Sequence, residues 1–167
     1  MTRRFTSALL AGMIAVGILG APVAAAEPQK TIAEIAIANG NFTTLVAALS
    51  CTGLVPAVSD PNASLTVFAP TDSAFRKLGL TAGNICRIPK TLLTKILTYH
   101  VASKELFAKD VLASRKIQML SGLYVFPSVR NGSAYLNWYS KIVATDIDAS
   151  NGVIHVIDHV LIPYRFW

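Results

Sequence analysis

The chain has 167 residues, of which 53% are hydrophobic and 14% charged, with 15 Lys and Arg against 9 Asp and Glu for a formal net charge of +6. A chain this long makes one domain that buries roughly 68–70% of its unfolded surface, so it needs no metal to fold. The two cysteines do not form a C-x-x-C redox motif, and no apolar run after the N-terminal one is long enough to cross a bilayer.

The N-terminus reads "MTRRFTSALLAGMIAVGILGAPVAAAEPQ". Arg3 and Arg4 form a positive region, residues 8–20 an apolar stretch, and Ala24-Ala25-Ala26 a small-residue cleavage signal. Cleavage after Ala26 is expected, making residues 1–26 a signal peptide and residues 27–167 a single exported domain. An uncleaved anchor is the alternative, because the apolar run is almost long enough to span. No cysteine stands at the cleavage point for a lipid anchor, and no cofactor motif follows to explain twin-arginine export. The remaining 141 residues carry 13 basic and 9 acidic groups, net +4.

Residues 31–38 place apolar side chains at helical spacing and stop at Asn39-Gly40. Asn41 is the expected cap of a second helix, with Phe42, Leu45, Val46 and Leu49 on one face. "LTVFAP" reads as a short buried strand, and Thr71 and Asp72 are both candidate caps for the short helix after it. Pro89 suits the first turn of a helix that runs through Leu92, Leu93, Ile96 and Leu97 to Tyr99. "KELFAKDVLAS" is a further short helical segment. In an oxidising compartment Cys51 and Cys86, with 34 residues between them, are most simply a disulfide, and two buried thiols are the alternative.

From Lys116 the apolar period switches to two. "KIQML", "GLYVFPSV", "SAYLNW", "KIVATDI" and "GVIHVIDHVLI" read as strands, with turn signals at Ser121-Gly122, Asn131-Gly132 and Asn151-Gly152. Helices first and antiparallel strands second make the class α+β. There is no internal repeat and no second domain.

The last run tests for an active site, since His155, Asp158 and His159 interrupt it. Six of its ten residues, 153–162, are β-branched, which favours a strand. On a strand His155 and His159 share a face but lie roughly 13 Å apart, at about 3.3 Å per residue. One zinc ion, with bonds of about 2.0–2.1 Å to nitrogen, cannot take both, and Asp158 points the other way.

Three landmarks together resemble the fasciclin domain family. They are "TVFAPTDSAF", "ILTYHV" with Tyr99 and His100, and "NGVIHVIDHVLIP", in that order over most of the exported chain. The resemblance implies a β-wedge or sandwich of mostly antiparallel strands with N-terminal helices packed on it. It places the first and last motifs in neighbouring central strands and implies an extracellular or cell-surface role in adhesion and matrix contact. Animal members use the region matching Tyr99 and His100 to contact integrins. The alternative is that His100 is bonded at a helix end while Tyr99 packs its ring. The chain departs from the family pattern at "NWYSK", residues 137–141, where a plainer Asn-Gly hairpin is usual. Trp138 and Tyr139 are therefore expected near a hairpin tip, exposed as binding anchors or packed on a neighbouring strand.

No G-x-S-x-G elbow, phosphate-binding glycine loop, H-E-x-x-H or dinucleotide fingerprint is present, so neither catalysis nor a cofactor is expected. Sequons occur at Asn41, Asn62 and Asn131, glycan candidates only in a eukaryotic host. Residues 87–116 hold seven basic side chains against Glu105 and Asp110, net +5. Lys104, Lys109, Arg115 and Lys116 among them either form a solvated face or attract acidic polysaccharide or lipid head groups. Nucleic acid is a poor fit for an exported chain without a recognition motif. The expected function is a non-catalytic adhesion or interaction module whose partner is a surface or matrix protein or an acidic polysaccharide. The second reading is a carrier with a small or apolar ligand in a cleft.

Overall fold

The computed structural model describes residues 29–163. The expected signal peptide, residues 27 and 28 after it, and the last four residues of the chain lie outside the described residues.

Helix α1 (Ile32–Ala38) starts at a capping box in which Thr31 accepts from the Glu34 amide and the Glu34 carboxylate accepts from the Thr31 amide. Helix α2 (Thr43–Thr52) ends at Gly53, whose φ of 76° suits the left-handed stop. A short α3 (Val55–Ser59) then leads into strand β1 (Leu65–Pro70) and helix α4 (Asp72–Arg76). A 3₁₀ turn at Ile85–Arg87 precedes α5 (Lys90–Thr98), with Pro89 at its N-cap. Strand β2 (Val101–Ala102), helix α6 (Ala108–Ala113) and strand β3 (Ile117–Gln118) follow. The chain closes with β4 (Tyr124–Val125), β5 (Pro127–Arg130), β6 (Ser133–Leu136), β7 (Ser140–Ala149) and β8 (Gly152–Ile157).

The capping of α2 differs from expectation. Asn41 does not cap it. Asp72 does so from outside the helix, its carboxylate accepting from the Thr43 amide at 3.2 Å, the Thr43 hydroxyl at 2.7 Å and the Thr44 amide at 2.7 Å. Of the two cap candidates before α4, Thr71 therefore serves α4, accepting from the Ala74 amide, while Asp72 serves α2. Cys51 on α2 and Cys86 in the 3₁₀ turn form a disulfide with Cα atoms 5.8 Å apart, within the about 7 Å a bridge can span.

Six strands form one sheet in the order β2-β1-β8-β7-β6-β5, and β3 and β4 form a separate ribbon. Neighbours in the large sheet run antiparallel except β1 and β8, which are parallel from Leu65↔Gly152 to Pro70↔Ile157. Both central strands are buried along their whole length, because the sheet is covered on both faces. Val67, Ala69, Ile154 and Val156 pack under α1, α2 and α5. Phe68 and Ile157 belong to a second core with Val111, Ile117, Val125 and Leu136. Gly152 sits at φ 143° where the two strands first pair, and a Cβ there would overlap the Leu65 carbonyl oxygen.

Four strand expectations are too long: "KIQML" keeps only Ile117–Gln118, "SAYLNW" ends at Leu136, and the other two break for reasons visible in the fold. The run from residue 122 to 129 splits at Phe126, so β4 and β5 join different sheets. Strand β8 stops at Ile157 because Asp158 folds back onto β7: its carboxylate accepts from the Lys141 amide at 2.8 Å while its own amide donates to the Lys141 carbonyl.

Candidate interaction surface

Two of the three histidines in the sequence motifs, His100 and His155, are spent inside the fold. His100 is buried; its Nδ1 donates to the Ile96 carbonyl at 2.7 Å and its Nε2 accepts from the Leu161 amide at 2.8 Å. Both nitrogens are thereby assigned, and the ring is neutral. Burial drives its pKa from 6.5 down to about 4, against the opposing pull of the Ile96 carbonyl. His155 is also buried; Nε2 donates to the Leu106 carbonyl at 2.8 Å and Nδ1 takes a long bond from the Asp146 amide at 3.4 Å. Desolvation again lowers its pKa, opposed by the Leu106 carbonyl and the Asp146 charge. His159 lies outside the strand, half-buried, with Nδ1 at 2.8 Å from Asp158 Oδ1. Burial raises the Asp158 pKa, but the contacts to His159 and the Lys141 amide outweigh it and leave the carboxyl lowered.

Tyr99 is buried as well, and its hydroxyl reaches the hairpin. It donates to the Tyr124 carbonyl at 2.8 Å and accepts from Asn137 Nδ2 at 3.0 Å. Asn137, itself buried, accepts at Oδ1 from the Phe126 amide at 3.0 Å and donates its own amide to the Phe126 carbonyl at 2.9 Å. These bonds pin the turn between β6 and β7 and set Asn137 and Trp138 at φ 49° and 66°. That is the mirror-image hairpin geometry normally filled by Asn-Gly, here with an indole in the second place. Neither Tyr99 nor His100 can therefore touch a partner in this conformation. Tyr99 instead positions the residues that can.

Trp138 is 59% exposed and stacks on Phe126, ring centroids 5.8 Å apart and planes at 12°. Phe126 escapes a reading of the sequence because it falls inside an apparent strand run; the following Pro127, which cannot continue a ladder as donor, is the available signal. Tyr139 turns the other way. Its hydroxyl donates to the Val160 carbonyl at 3.3 Å and accepts from the Ile162 amide at 3.1 Å, and its ring meets His159 edge-on at 6.2 Å. An open groove of about 230 Å³ runs beside it, lined by Lys77, Leu78, Tyr139, His159, Val160 and Ile162. Lys77 Nζ donates to the Asp158 carbonyl at 2.9 Å and approaches His159 Nε2 at 3.1 Å. Of the basic candidates, Lys104, Lys109, Arg115 and Lys116 are not buried, and Lys104 and Lys116 line one polar cleft.

The fasciclin-domain family model matches residues 40–163. The chain belongs to the fasciclin domain family. Protein sll1483 of Synechocystis is 41% identical over 142 residues, covering 84% of this chain and 77% of that protein. Immunogenic protein MPB70 of Mycobacterium bovis is 34% identical over 138 residues, covering 81% of this chain and 70% of that protein. A solved FAS1 domain pair from the insect cell adhesion molecule Fasciclin I superposes with a TM-score of 0.68 at 19% identity, covering 83% of this chain and 52% of that one. That likeness establishes the fold: a mixed α+β wedge with a curled, mostly antiparallel sheet. In this fasciclin domain the first and last motifs are the parallel pair β1 and β8, and the Tyr-His element ends α5 beneath the hairpin turn. Among the described residues no helix is long and apolar enough to cross a membrane.

Proposed function

We propose that this fasciclin domain is a non-catalytic interaction module, exported to work at or outside the cell surface, and that the Trp138–Phe126 tip is its contact. The observation that carries the reading is the backbone of Trp138. A bulky residue at positive φ is disfavoured, and this one gains little burial in return. Buried Tyr99 and Asn137 hold the turn in place. Rigid, exposed aromatics in such a setting are the residue type that anchors interfaces. The carrier reading has less support: the apolar spaces between the helices and the sheet beside Phe42 and beside Leu120 hold about 20 and 60 Å³, far below the size of a small-molecule pocket.

The test compares wild type with Trp138→Gly for binding to cell-envelope fragments of the producing organism. Glycine accepts the backbone geometry, so melting temperature should be unchanged or slightly higher while binding falls about tenfold or more. Equal binding by both proteins would reject the tip as the contact.

A further inference from the structure

The cleft between residues 103–106 and β3 is the place where the basic segment becomes concave. It is about 160 Å³, with Lys104 and Lys116 at its sides, Ser103, Ser114 and Gln118 among them, and Ile117 beneath. Neither lysine has a carboxylate partner among the described residues. Lys116 Nζ is instead held over the Tyr124 ring, 4.4 Å from its centroid. The Ser114 hydroxyl donates to the Asp110 carbonyl at 2.7 Å, which leaves Lys104, Ser103 and Gln118 as cleft-lining residues whose side-chain donors have no partner among the described residues, with Lys116 beside them.

The cleft wall is rigidly built. Thr66, buried in β1, donates its hydroxyl to the Lys104 carbonyl at 2.6 Å and accepts from the Leu106 amide at 2.8 Å. His155, buried in the parallel β8, donates to the Leu106 carbonyl at 2.8 Å. The Ala108 amide is held by the Asp146 carboxylate at 2.7 Å. Three residues of the central sheet thus fix the backbone that carries Lys104, so ordering it on binding costs little.

We infer that this cleft binds the carboxylate or sulfate groups of an acidic polysaccharide. The inference rests on the interaction-module reading for the domain's access to such polymers, and it adds a second, chemically distinct contact. Two separated cations meet a polymer's repeated negative charge, while neutral hydroxyl and amide donors suit the hydroxyls between the charges. A flat lipid surface would meet the rim of the cleft but not its interior donors.

The test is equilibrium binding of the exported protein, disulfide intact, to heparin as the sulfated probe and polygalacturonate as the carboxylated one. Phosphatidylglycerol vesicles form the lipid arm, and inorganic sulfate is the free-anion competitor. Lys104→Glu/Lys116→Glu is compared with Arg87→Glu/Lys90→Glu, which makes the same charge change outside the cleft. Lys104→Gln/Lys116→Gln serves as a milder pair that retains the fold. The cleft variants should lose about thirtyfold in affinity for at least one polymer and the control about threefold or less. Wild-type affinity should fall as salt rises. Equal losses in cleft and control variants would overturn the inference, as would the absence of polymer binding or binding confined to vesicles. None of these results would touch the Trp138 comparison on envelope fragments, so the two proposals fail separately.

Discussion

His155 Nε2 donates to the carbonyl of Leu106 across 2.8 Å, joining a buried strand of the sheet to a loop 49 residues earlier in the chain. Thr66 on the parallel strand takes both the carbonyl of Lys104 and the amide of Leu106. The two family motifs therefore act together, supplying hydrogen bonds to a loop that passes over the sheet without pairing there. Thr66→Val keeps the shape but leaves a partly buried carbonyl and amide unpaired, at a cost of about 1–3 kcal/mol. Urea unfolding should show this as a lower midpoint at an unchanged slope.

The two buried histidines set an acid limit on stability. His100 takes a proton at about 4 when folded and at about 6.5 when unfolded, so between those values the unfolded state binds more protons. The stabilisation is complete above pH 6.5, is lost as pH falls toward 4, and amounts to about 3 kcal/mol for His100. His155, also lowered by burial, acts in the same direction. Protonating His100 would turn Nε2 into a donor facing the Leu161 amide, which is itself a donor. Melting temperature measured from pH 7 to pH 4 should decline, and His100→Gln should flatten much of that decline from a lower starting stability.

Asp72 links two helices. Burial raises its pKa, but the amide and hydroxyl bonds from Thr44 and Thr43 outweigh this and leave the carboxyl below its ordinary 3.8. Its contribution is present above that value and fades as pH falls below it. Asp72→Ala removes the side-chain cap at the start of α2 and should cost about 1–2 kcal/mol. Asp72→Asn should recover part of it, because the amide oxygen still accepts. Thermal denaturation of the three proteins at neutral pH measures both effects.

What the sequence made legible was whatever depends on a local pattern. The apolar runs at residues 65–70 and 152–157, the helix stop at Asn39-Gly40, and the two cysteines each carry their own signal. The misreadings share a physical cause, a polar side chain engaged far away in the chain. Asp72 looks like a cap for α4 because that helix follows it, yet its oxygens point at α2. Tyr99 and His100 had two readings, partner contact or a structural role, and tertiary packing gives them the second by burying both. The surface followed the same rule. The hairpin signal located Trp138, but its stacking on Phe126 and the cleft between Lys104 and Lys116 depend on how the sheet folds.

The most direct test of the central claim is the fluorescence of Trp138 itself. The chain has two tryptophans, and Trp167→Phe leaves Trp138 alone as the reporter. Free in solution, an indole that is 59% exposed should emit at long wavelength and be readily quenched by iodide. On saturation with envelope fragments its emission should shift to shorter wavelength and its quenching should fall severalfold, as the ring leaves water. Saturated binding with unchanged emission and unchanged quenching would contradict the assignment of the hairpin tip as the contact surface.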